Sequence, residues 1–494
     1  MNLKTGKKVA VIGSGIAGLA TSVRLAIKGH QVSVYEANSY AGGKLSEIVQ
    51  DGYRFDAGPS LFTMPHFVTE LFELAGKNPQ EYFQYEKLPI VCKYLYEDGS
   101  SFNSYADRNA LVKEFTNKFN EDEQSVEKYL KKSKEIYQIT EDVFLNKSLH
   151  LLSTYMNKGT LKSMMQLYKI QIFESMHQAN SRYFTNEKSI QFFDRFATYN
   201  GSNPYKAPAT LNVIPYLEND IGAFFPKGGM HSITQSIYSL AKSLDVEFHF
   251  NCRVEEILLE NNKANGILVN GEKIAADLVI SNMDMVNTYR KLLTKHKAPE
   301  TLLKQQKSSS ALIFYWGIKK AFPELDLHNI FFSKNYKKEF ELIEEGKETY
   351  HDPTVYVNIS SKCKADDAPE NSENWFTMIN VPNNQGQNWE QLIEKSRTAI
   401  LEKVSKTLKT DIAQYIETEA ILDPVLIEEK TSSAQGALYG NSSNTTMAAF
   451  LRHPNFSRKY KHLYFCGGSV HPGGGIPLCL LSAKITADVI EKFE

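Results

Sequence analysis

The stretch Val9-Ala10-Val11-Ile12-Gly13-Ser14-Gly15-Ile16-Ala17-Gly18, near the start of this 494-residue chain, decides the fold. Residues 9–12 predict a short buried strand, and the glycines after them predict a tight turn into a helix over residues 19–27. A second predicted strand, at residues 31–35, ends on an acid, Glu36. This order of strand, glycine triplet, helix, strand and acid is typical of a dinucleotide-binding βαβ unit.

Each motif residue has its own physical task. A side chain at Gly13 would block the turn, one at Gly15 would hold the backbone away from a pyrophosphate, and one at Gly18 would spoil the packing of helix on strand. The N–H groups of the following helix and its dipole favour phosphate. Glu36 stands where a carboxylate binds a ribose diol and repels a 2′-phosphate, so NADP is disfavoured. The alternative is a tight turn without a ligand, which the complete order of elements makes improbable.

A second glycine-rich turn lies at the other end of the chain. Residues 463–466 predict another strand, followed by Gly467-Gly468-Ser469 and by His471-Pro472-Gly473-Gly474-Gly475-Ile476-Pro477. A helix of small and apolar residues comes next. A glycine loop such as the one at residues 13–18, when it acts alone, binds any dinucleotide. A C-terminal turn that returns to the same site indicates a cofactor that stays enclosed, as a flavin does.

The composition excludes several classes of function. The 56 basic and 57 acidic side chains leave a net charge of −1, which gives no electrostatic footprint for nucleic acid. Five scattered cysteines without a Cys-x-x-Cys pair disfavour a disulfide framework or a metal site and fit a reducing cytoplasm. No export segment fits before the first strand, and no stretch reaches the roughly 18 apolar residues of a spanning helix. We therefore expect a cytoplasmic globular protein.

Turn signals and hydrophobic periodicity predict two domains that share the chain, with α/β character in the dinucleotide-binding segments. The cofactor domain is expected from residues 1–75, 215–290 and 421–494, and the substrate domain from residues 76–214 and 291–420. Helical spacing is found over residues 109–134, 161–178, 233–243 and 389–408.

Two further turns follow the first βαβ unit. Gly42-Gly43-Lys44 predicts a second close approach of the backbone, with a cation to meet phosphate. Residues 51–60 predict a hairpin that leads into a rigid turn, Gly58-Pro59-Ser60, able to press backbone against a planar ring. The alternative for this second segment is an ordinary hairpin without a ligand.

Together with Phe225-Pro226-Lys227-Gly228-Gly229-Met230, with Val254 and Ile257, and with Ser281-Asn282, these motifs resemble the FAD-dependent bacterial-type phytoene desaturases. That family is part of the amine-oxidase and GDI-like flavoprotein superfamily. Residues 436–440 and 467–477 are similar to a narrower branch, the 1-hydroxy- and methoxycarotenoid 3,4-desaturases. The resemblance spans the chain in order and implies a Rossmann-like FAD-binding domain interleaved with an α+β substrate domain.

The resemblance implies FAD, held in extended form. The adenine would meet the main chain of Val254, and the isoalloxazine would lie against residues 58–60 and 474–477. The cofactor residues that it implies are Gly13, Gly15, Ile16, Ala17, Gly18, Glu36, Ala37, Gly42, Gly43, Lys44, Gly58, Pro59, Ser60, Val254, Gly468, Ser469, Gly475, Ile476 and Pro477. Many relatives carry Gly-Asp where this chain has Gly467-Gly468-Ser469, so a hydroxyl or backbone group must replace that acid.

The expected chemistry is the removal of a hydride and a proton from adjacent carbons, with the flavin taking the hydride. His471 is a candidate proton acceptor, and its alternative is a hydrogen-bonded loop histidine near the cofactor. Arg195 is expected to orient the substrate or to line the pocket; the alternative is that it braces the two domains through an ion pair. We expect no metal. Without a second redox centre in the sequence, electrons must pass to a diffusing acceptor such as a quinone or oxygen.

A lipophilic carotenoid substrate implies access to a bilayer. Apolar residues recur at near-helical spacing at Leu161, Met164, Met165, Leu167, Tyr168, Ile172, Phe173 and Met176, with Lys158, Lys162 and Lys169 among them. This pattern fits an interfacial helix, and it fits a core helix with solvated lysines equally well. The expected substrate favours the first, which predicts peripheral association with the cytoplasmic membrane.

The resulting prediction is an FAD-dependent carotenoid desaturase that acts at the 3,4 position of a 1-hydroxycarotenoid. The alternatives are a phytoene-type desaturase, a carotenoid isomerase or oxygenase on the same fold, and a non-catalytic prenyl-lipid carrier of the GDI type. The intact glycine triplet and Glu36 argue against the carrier. No nucleic-acid partner is expected.

Overall fold

The structure, a computed structural model, describes residues 6–141, 145–156, 160, 165–445, 448 and 451–494. The described chain builds two large β-sheets with helices packed against them. None of the helices in these residues combines the length and the apolar character that crossing a bilayer requires.

The first sheet is wholly parallel and draws its strands from distant parts of the chain. In spatial order they are Leu463–Phe465, Leu278–Ser281, Lys8–Ile12, Gln31–Tyr35 and Glu247–His249. Residues 9–12 are all buried, as expected of a strand covered on both faces. Because the strands are parallel, the loops that follow their carboxyl ends meet at one edge of the sheet.

Helices cover one face of this sheet, and a small antiparallel sheet covers the other. The helices Ile16–Ile27, His231–Lys242 and Ile476–Phe493 share an apolar core with Val9 and Val11. On the opposite face, Ala10 and Ile12 share a core with a three-stranded sheet. The strands of that sheet are Val254–Glu260, Lys263–Val269 and Glu272–Ala275. The layers confirm the predicted α/β, Rossmann-like class.

The second sheet has seven strands and is mainly antiparallel. Its spatial order is Ile416–Leu422, Ser310–Ile318, Glu373–Val381, Val355–Ile359, His328–Phe331, Ile90–Leu95 and Ser101–Tyr105. Only the pairing of His328–Phe331 with Ile90–Leu95 is parallel among the strands of this sheet in the described chain. The helix Trp389–Leu408 packs on one part of the sheet through Trp389, Ile400 and Val404.

The remaining elements surround these sheets. Two short antiparallel pairs are the hairpin Glu47–Gln50 with Tyr53–Asp56, and Tyr85–Lys87 with Phe224–Pro226, whose strands are distant in the sequence. The other α-helices of the described chain are His66–Leu74, Arg108–Phe119, Glu123–Thr140, Leu152–Tyr155, Met176–Tyr183, Glu187–Asp194, Met285–Asn287, Glu300–Leu303, Tyr336–Glu345 and Pro424–Thr431.

Two predicted helical segments differ from the structure for local reasons. The segment 109–134 forms two helices, because Asn120 adopts a left-handed conformation with φ 56° and Asp122 then caps a new helix. In the segment 161–178, residues 161–164 lie outside the described residues. The rest is a short 3₁₀ turn, Leu167–Ile170, that ends at left-handed Gln171, after which Ser175 caps the helix Met176–Tyr183. One continuous helix was the wrong expectation there.

The predicted domain division stays a prediction, but two of its limits need correction. The strands of the parallel sheet all lie within the segments 1–75, 215–290 and 421–494. However, the limit at residue 420 falls inside the strand Ile416–Leu422, and the limit at residue 290 falls inside the π-helical turn Thr288–Leu292. A boundary cannot divide a strand that pairs along its whole length with Ser310–Ile318.

Candidate active site

A cavity of about 770 Å³ lies between the two large sheets. One part is lined by loops at the carboxyl edge of the parallel sheet, and the other by side chains of the seven-stranded sheet. Of the predicted site residues, those that line it are Gly13, Gly15, Ile16, Ala17, Glu36, Ala37, Gly42, Gly43, Lys44, Gly58, Pro59, Ser60, Arg195, Val254, Gly468, Ser469, Gly475, Ile476 and Pro477. Gly18 and His471 do not line it.

The glycine triplet places an uncapped helix N-terminus at the cavity wall. Gly15 is the N-cap of the helix Ile16–Ile27, and no side chain accepts a hydrogen bond from its first turn. An added Cβ at Gly15 would lie 2.7 Å from Oδ1 of Asn282, and one at Gly18 would lie 2.3 Å from the Gly13 carbonyl oxygen. The triplet therefore leaves N–H groups free for an anion, with Gly18 serving the packing behind the loop.

Glu36 is buried at the end of its strand, and its carboxylate already has protein donors. Oε2 accepts the N–H and the hydroxyl of Ser14, each at 2.8 Å. Oε1 accepts the backbone N–H and the side-chain amide of Asn38, each at 2.9 Å. A ribose diol at Glu36 therefore shares or displaces one of these donors, and the side chains of Ser14 and Asn38 are the ones able to rotate away.

Lys44 brings a desolvated cation to the same cavity. Its ammonium donates to the carbonyl oxygens of Ala437 and Leu438, at 3.0 and 2.9 Å. Burial lowers the pKa of Lys44 to about 8, and the charges of Asp284 and Cys479 act in the opposite direction. One amine proton stays available for a phosphate oxygen, because an ammonium group carries three.

The C-terminal turn supplies a second uncapped helix N-terminus. The helix Ile476–Phe493 has Gly475 as its N-cap, with φ 105°, a conformation that favours glycine. No side chain caps this helix, and Pro477 lies in its first turn. In the turn Gly467-Gly468-Ser469, the hydroxyl of Ser469 accepts the N–H of Met285 at 2.8 Å and keeps its own proton to donate.

Arg195 lines the cavity and is held by an ion pair. Its guanidinium donates to Oε1 of Glu218 at 3.0 Å and to the hydroxyl of Tyr199 at 3.3 Å. Tyr199 also donates to Glu218. The aromatic rings of Tyr94, Phe196 and Tyr199 lie around the guanidinium. Nine-tenths of this side chain is buried, which suits a residue that fixes the shape of the wall.

A chain of polar side chains begins at Ser60, on the predicted ring-contact turn. The Ser60 hydroxyl lies 2.7 Å from the hydroxyl of Tyr356, which lies 2.7 Å from Nδ1 of His328. Nδ1 also faces the side-chain amide of Asn358 at 3.1 Å. Ser60, Tyr356 and His328 line the cavity, while Asn358 stands behind them.

His471 is a buried loop histidine away from the cavity wall. Its Nε2 lies 2.9 Å from the carbonyl oxygen of Lys147, and its Nδ1 has no partner in the described chain. Burial lowers the pKa of His471 to about 3, so the imidazole is neutral. His471 is thus a hydrogen-bonded loop histidine, and its imidazole has no contact with the cavity.

Two free helix N-termini, a desolvated lysine and a buried carboxylate around one cavity fit a dinucleotide with a pyrophosphate centre. The profile of the family described as flavin containing amine oxidoreductase matches residues 16–491. The chain belongs to the flavin-containing amine oxidoreductase family. The cofactor of this family is a flavin, and the residues around the cavity fit FAD. The two helix N-termini match the two places where such a flavin carries negative charge, its pyrophosphate and its reduced ring.

Relatives and solved structures agree with this family. A 1-hydroxycarotenoid 3,4-desaturase from Flavobacterium sp. (strain P99-3) is 52% identical over 484 residues, which cover 98% of this chain and 99% of the relative. A 4,4′-diapolycopene oxygenase from Methylomonas sp is 32% identical over 501 residues, 99% of each chain. The structure of cyclohexylamine oxidase from Brevibacterium oxydans IH-35A has a TM-score of 0.61 at 13% identity and covers 99% of each chain.

Sequence reasoning did not assign several residues of this flavoprotein site. Asn282 ends a predicted strand, and its amide donates to the Cys466 carbonyl oxygen at 3.1 Å beside the glycine loop. Its place after a parallel strand was a usable signal. Tyr356, His328 and Glu218 carried no such signal, since only the tertiary fold brings them to the cavity.

Proposed function

We propose that this flavoprotein is a desaturase that introduces a double bond at the 3,4 position of a 1-hydroxycarotenoid. The observation that carries the proposal is the 52% identity, over nearly the whole of both chains, to a relative named for that reaction. A phytoene desaturase from Fusarium fujikuroi, 31% identical over 98% of this chain, supports the wider carotenoid class.

The two halves of the cavity suit such a substrate. Except for Gly18, the sequence-predicted cofactor residues line the cavity, most of them in the half beside the parallel sheet. The other half presents apolar and aromatic side chains, among them Ile313, Ile330, Phe376 and Met378. A polyene chain buries well against such a wall, because the stabilisation grows with the apolar area removed from water.

FAD, when bound, supplies a two-electron acceptor for the hydride. The residues of the chain bind the polyene, hold the reacting carbons against the turns at 58–60 and 474–477, and exclude water from them. We propose that Arg195 is a positioning residue, because its guanidinium is engaged by Glu218 and Tyr199. The contacts of His471 favour a structural role for it, so our proposal assigns it no proton transfer.

Membrane association belongs to the same proposal. Five large apolar side chains between residues 152 and 173 are exposed by two-thirds or more, at Leu152, Met156, Met165, Tyr168 and Phe173. Their neighbours Leu167, Ile170 and Ile172 instead pack with Ile136 and Ile139. Lys158 and Lys162 lie outside the described residues, and Lys169 pairs with Glu135 at 3.5 Å. We propose that this apolar patch rests on a leaflet and admits the carotenoid, with a quinone or oxygen as the electron acceptor.

The test is anaerobic incubation of the purified holoprotein with a 1-hydroxycarotenoid, followed by flavin absorbance and product mass. Bleaching of the flavin, with loss of two hydrogens and one more conjugated double bond in the product, supports the proposal. A product of unchanged mass indicates an isomerase. A product that gains an oxygen atom when the incubation is repeated in air indicates an oxygenase. Purified protein without affinity for FAD would indicate a carrier.

A further inference from the structure

The polar chain at Ser60, Tyr356 and His328 bears on how a hydroxylated end group is recognised, an inference that rests on the proposed function. In a 1-hydroxycarotenoid a single carbon, C2, separates the hydroxyl-bearing carbon from the C3–C4 bond. A group that binds this hydroxyl must therefore lie next to the place where the reacting carbons meet the flavin. Ser60, on the proposed ring-contact turn, marks that place in the cavity.

The direction of the hydrogen bonds that link Ser60, Tyr356 and His328 follows from the contacts of Asn358. Its amide nitrogen lies 3.1 Å from the carbonyl oxygen of Leu327, which identifies the nitrogen as a donor. The same nitrogen lies 3.1 Å from Nδ1 of His328, so Nδ1 is an acceptor and carries no proton. Strand pairing fixes this geometry, because His328 and Asn358 are direct partners in an antiparallel ladder.

The imidazole of His328 is neutral as well as oriented. The side chain is only 2% exposed, and burial, with a smaller contribution from the charge of Arg195, lowers the pKa of His328 to about 3. The unprotonated Nδ1 of the neutral ring accepts a hydrogen bond from the Tyr356 hydroxyl, 2.7 Å away, and its one lone pair is shared with the Asn358 amide.

The hydroxyl of Tyr356 is thereby committed as a donor to His328, which leaves its oxygen as an acceptor on the cavity side. One lone pair faces Ser60, and the second is open to a ligand. Tyr356 itself is half-buried and lines the cavity, so a substrate can reach this oxygen. Such an acceptor matches an alcohol O–H, and neither a methyl ether nor a hydrocarbon end group can donate to it.

We propose that Tyr356 recognises the C1 hydroxyl of the carotenoid by accepting its hydrogen bond, with His328 as the positioning residue that aims the phenol. The site thereby prefers an end group with a free hydroxyl over its methyl ether and over the unsubstituted analogue. The preference arises because, without the hydroxyl of the substrate, the second lone pair of this oxygen loses the hydrogen bond that water would supply.

The experiment measures kcat/KM and substrate affinity for three carotenoids that share one polyene and differ at C1 in hydroxyl, methoxyl or hydrogen. The wild-type holoprotein is expected to prefer the hydroxyl form, and Tyr356→Phe to reduce that preference by roughly tenfold. His328→Leu, which cannot accept from Tyr356, reduces it similarly. His328→Gln, whose amide oxygen can accept, retains most of it.

Tyr315→Phe is the matched control. Tyr315 also lines the cavity, but its hydroxyl donates to the Ala57 carbonyl oxygen at 2.6 Å, so this variant keeps the wild-type preference ratio. Flavin content and melting temperature show whether each variant is folded.

An unchanged preference ratio in Tyr356→Phe, or an equal loss in Tyr315→Phe, would overturn the inference while leaving the desaturase proposal intact. Wild-type protein that desaturates none of the three carotenoids would overturn the proposed function itself.

Discussion

The ammonium group of Lys44 lies 2.9 Å from the carbonyl oxygen of Leu438, which follows it by 394 residues. One buried cation thus joins the N-terminal glycine-rich segment to the C-terminal part of the cavity wall. The same cation lines the cavity. Its protonation therefore affects both the closure of the wall and the binding of a phosphate.

The affinity for FAD is expected to fall as the pH rises through about 8, because Lys44 has a pKa of about 8 and loses its proton there. A phosphate favours the charged form of the lysine. Titration of apoprotein with FAD, followed by flavin fluorescence over a pH series, measures this effect. Lys44→Met is expected to bind FAD more weakly at neutral pH and to lack the step near pH 8. A step that persists in Lys44→Met would assign it to another group.

Gly18→Ala is expected to destabilise the fold more than Gly15→Ala. An added Cβ at Gly18 meets the Gly13 carbonyl oxygen, which is backbone, whereas one at Gly15 meets the Asn282 side chain. Overpacking of this kind costs about 1–3 kcal/mol. Thermal unfolding measures both variants. A Cβ at Gly18 also lies 2.9 Å from Oδ1 of Asn282, so Asn282→Ala should relieve Gly15→Ala largely and Gly18→Ala only in part, since the clash with the Gly13 backbone stays. Equal relief of both would contradict the geometry.

Arg195→Met is expected to lower the free energy of unfolding by about 3–5 kcal/mol, because it leaves the Glu218 carboxylate buried without its cation. The double variant with Glu218→Gln should recover part of this loss, since the neutral amide oxygen still accepts from Tyr199. Urea unfolding of the two single variants and the double variant gives the coupling. Strict additivity would show that the pair does not act as a unit.

Vesicle binding is expected to weaken when Phe173 or Tyr168 is changed to serine, since each exposes three-quarters or more of its surface in the apolar patch. Removing one such side chain from an interface reduces the buried apolar area and weakens binding several-fold. Co-flotation with phospholipid vesicles measures the bound fraction. Phe493→Ser, on an exposed apolar residue elsewhere, is the control. Equal loss in the control would argue for nonspecific adsorption.

The parallel-sheet elements could be predicted closely because their signals are local. The first strand and helix begin within a few residues of the predicted positions, and the helix Trp389–Leu408 has its predicted limits. Periodicity and glycine spacing determine such elements over a short window. The segment 161–178 failed because left-handed Gln171 and the Ser175 cap interrupt an otherwise apolar pattern.

The two parts of the cavity also differ in how well the sequence predicts them. The predicted residues at the turns line the cavity, because each belongs to a motif with its own backbone requirement. Tyr356 follows Ser60 by 296 residues, and no sequence pattern in either segment predicts that the two side chains are in contact. The polar chain is set by pairing between the strands His328–Phe331 and Val355–Ile359, which is a property of the tertiary fold.

The parallel sheet has a consequence for how the protein is made. Its edge strand Leu463–Phe465 and the turn at Gly475 are synthesised long after the glycine loop at residues 13–18. During synthesis the glycine loop therefore lacks the C-terminal wall of the cavity until residues 463–475 have emerged from the ribosome. A closed flavin cavity thus forms only after the chain has been made as far as Gly475.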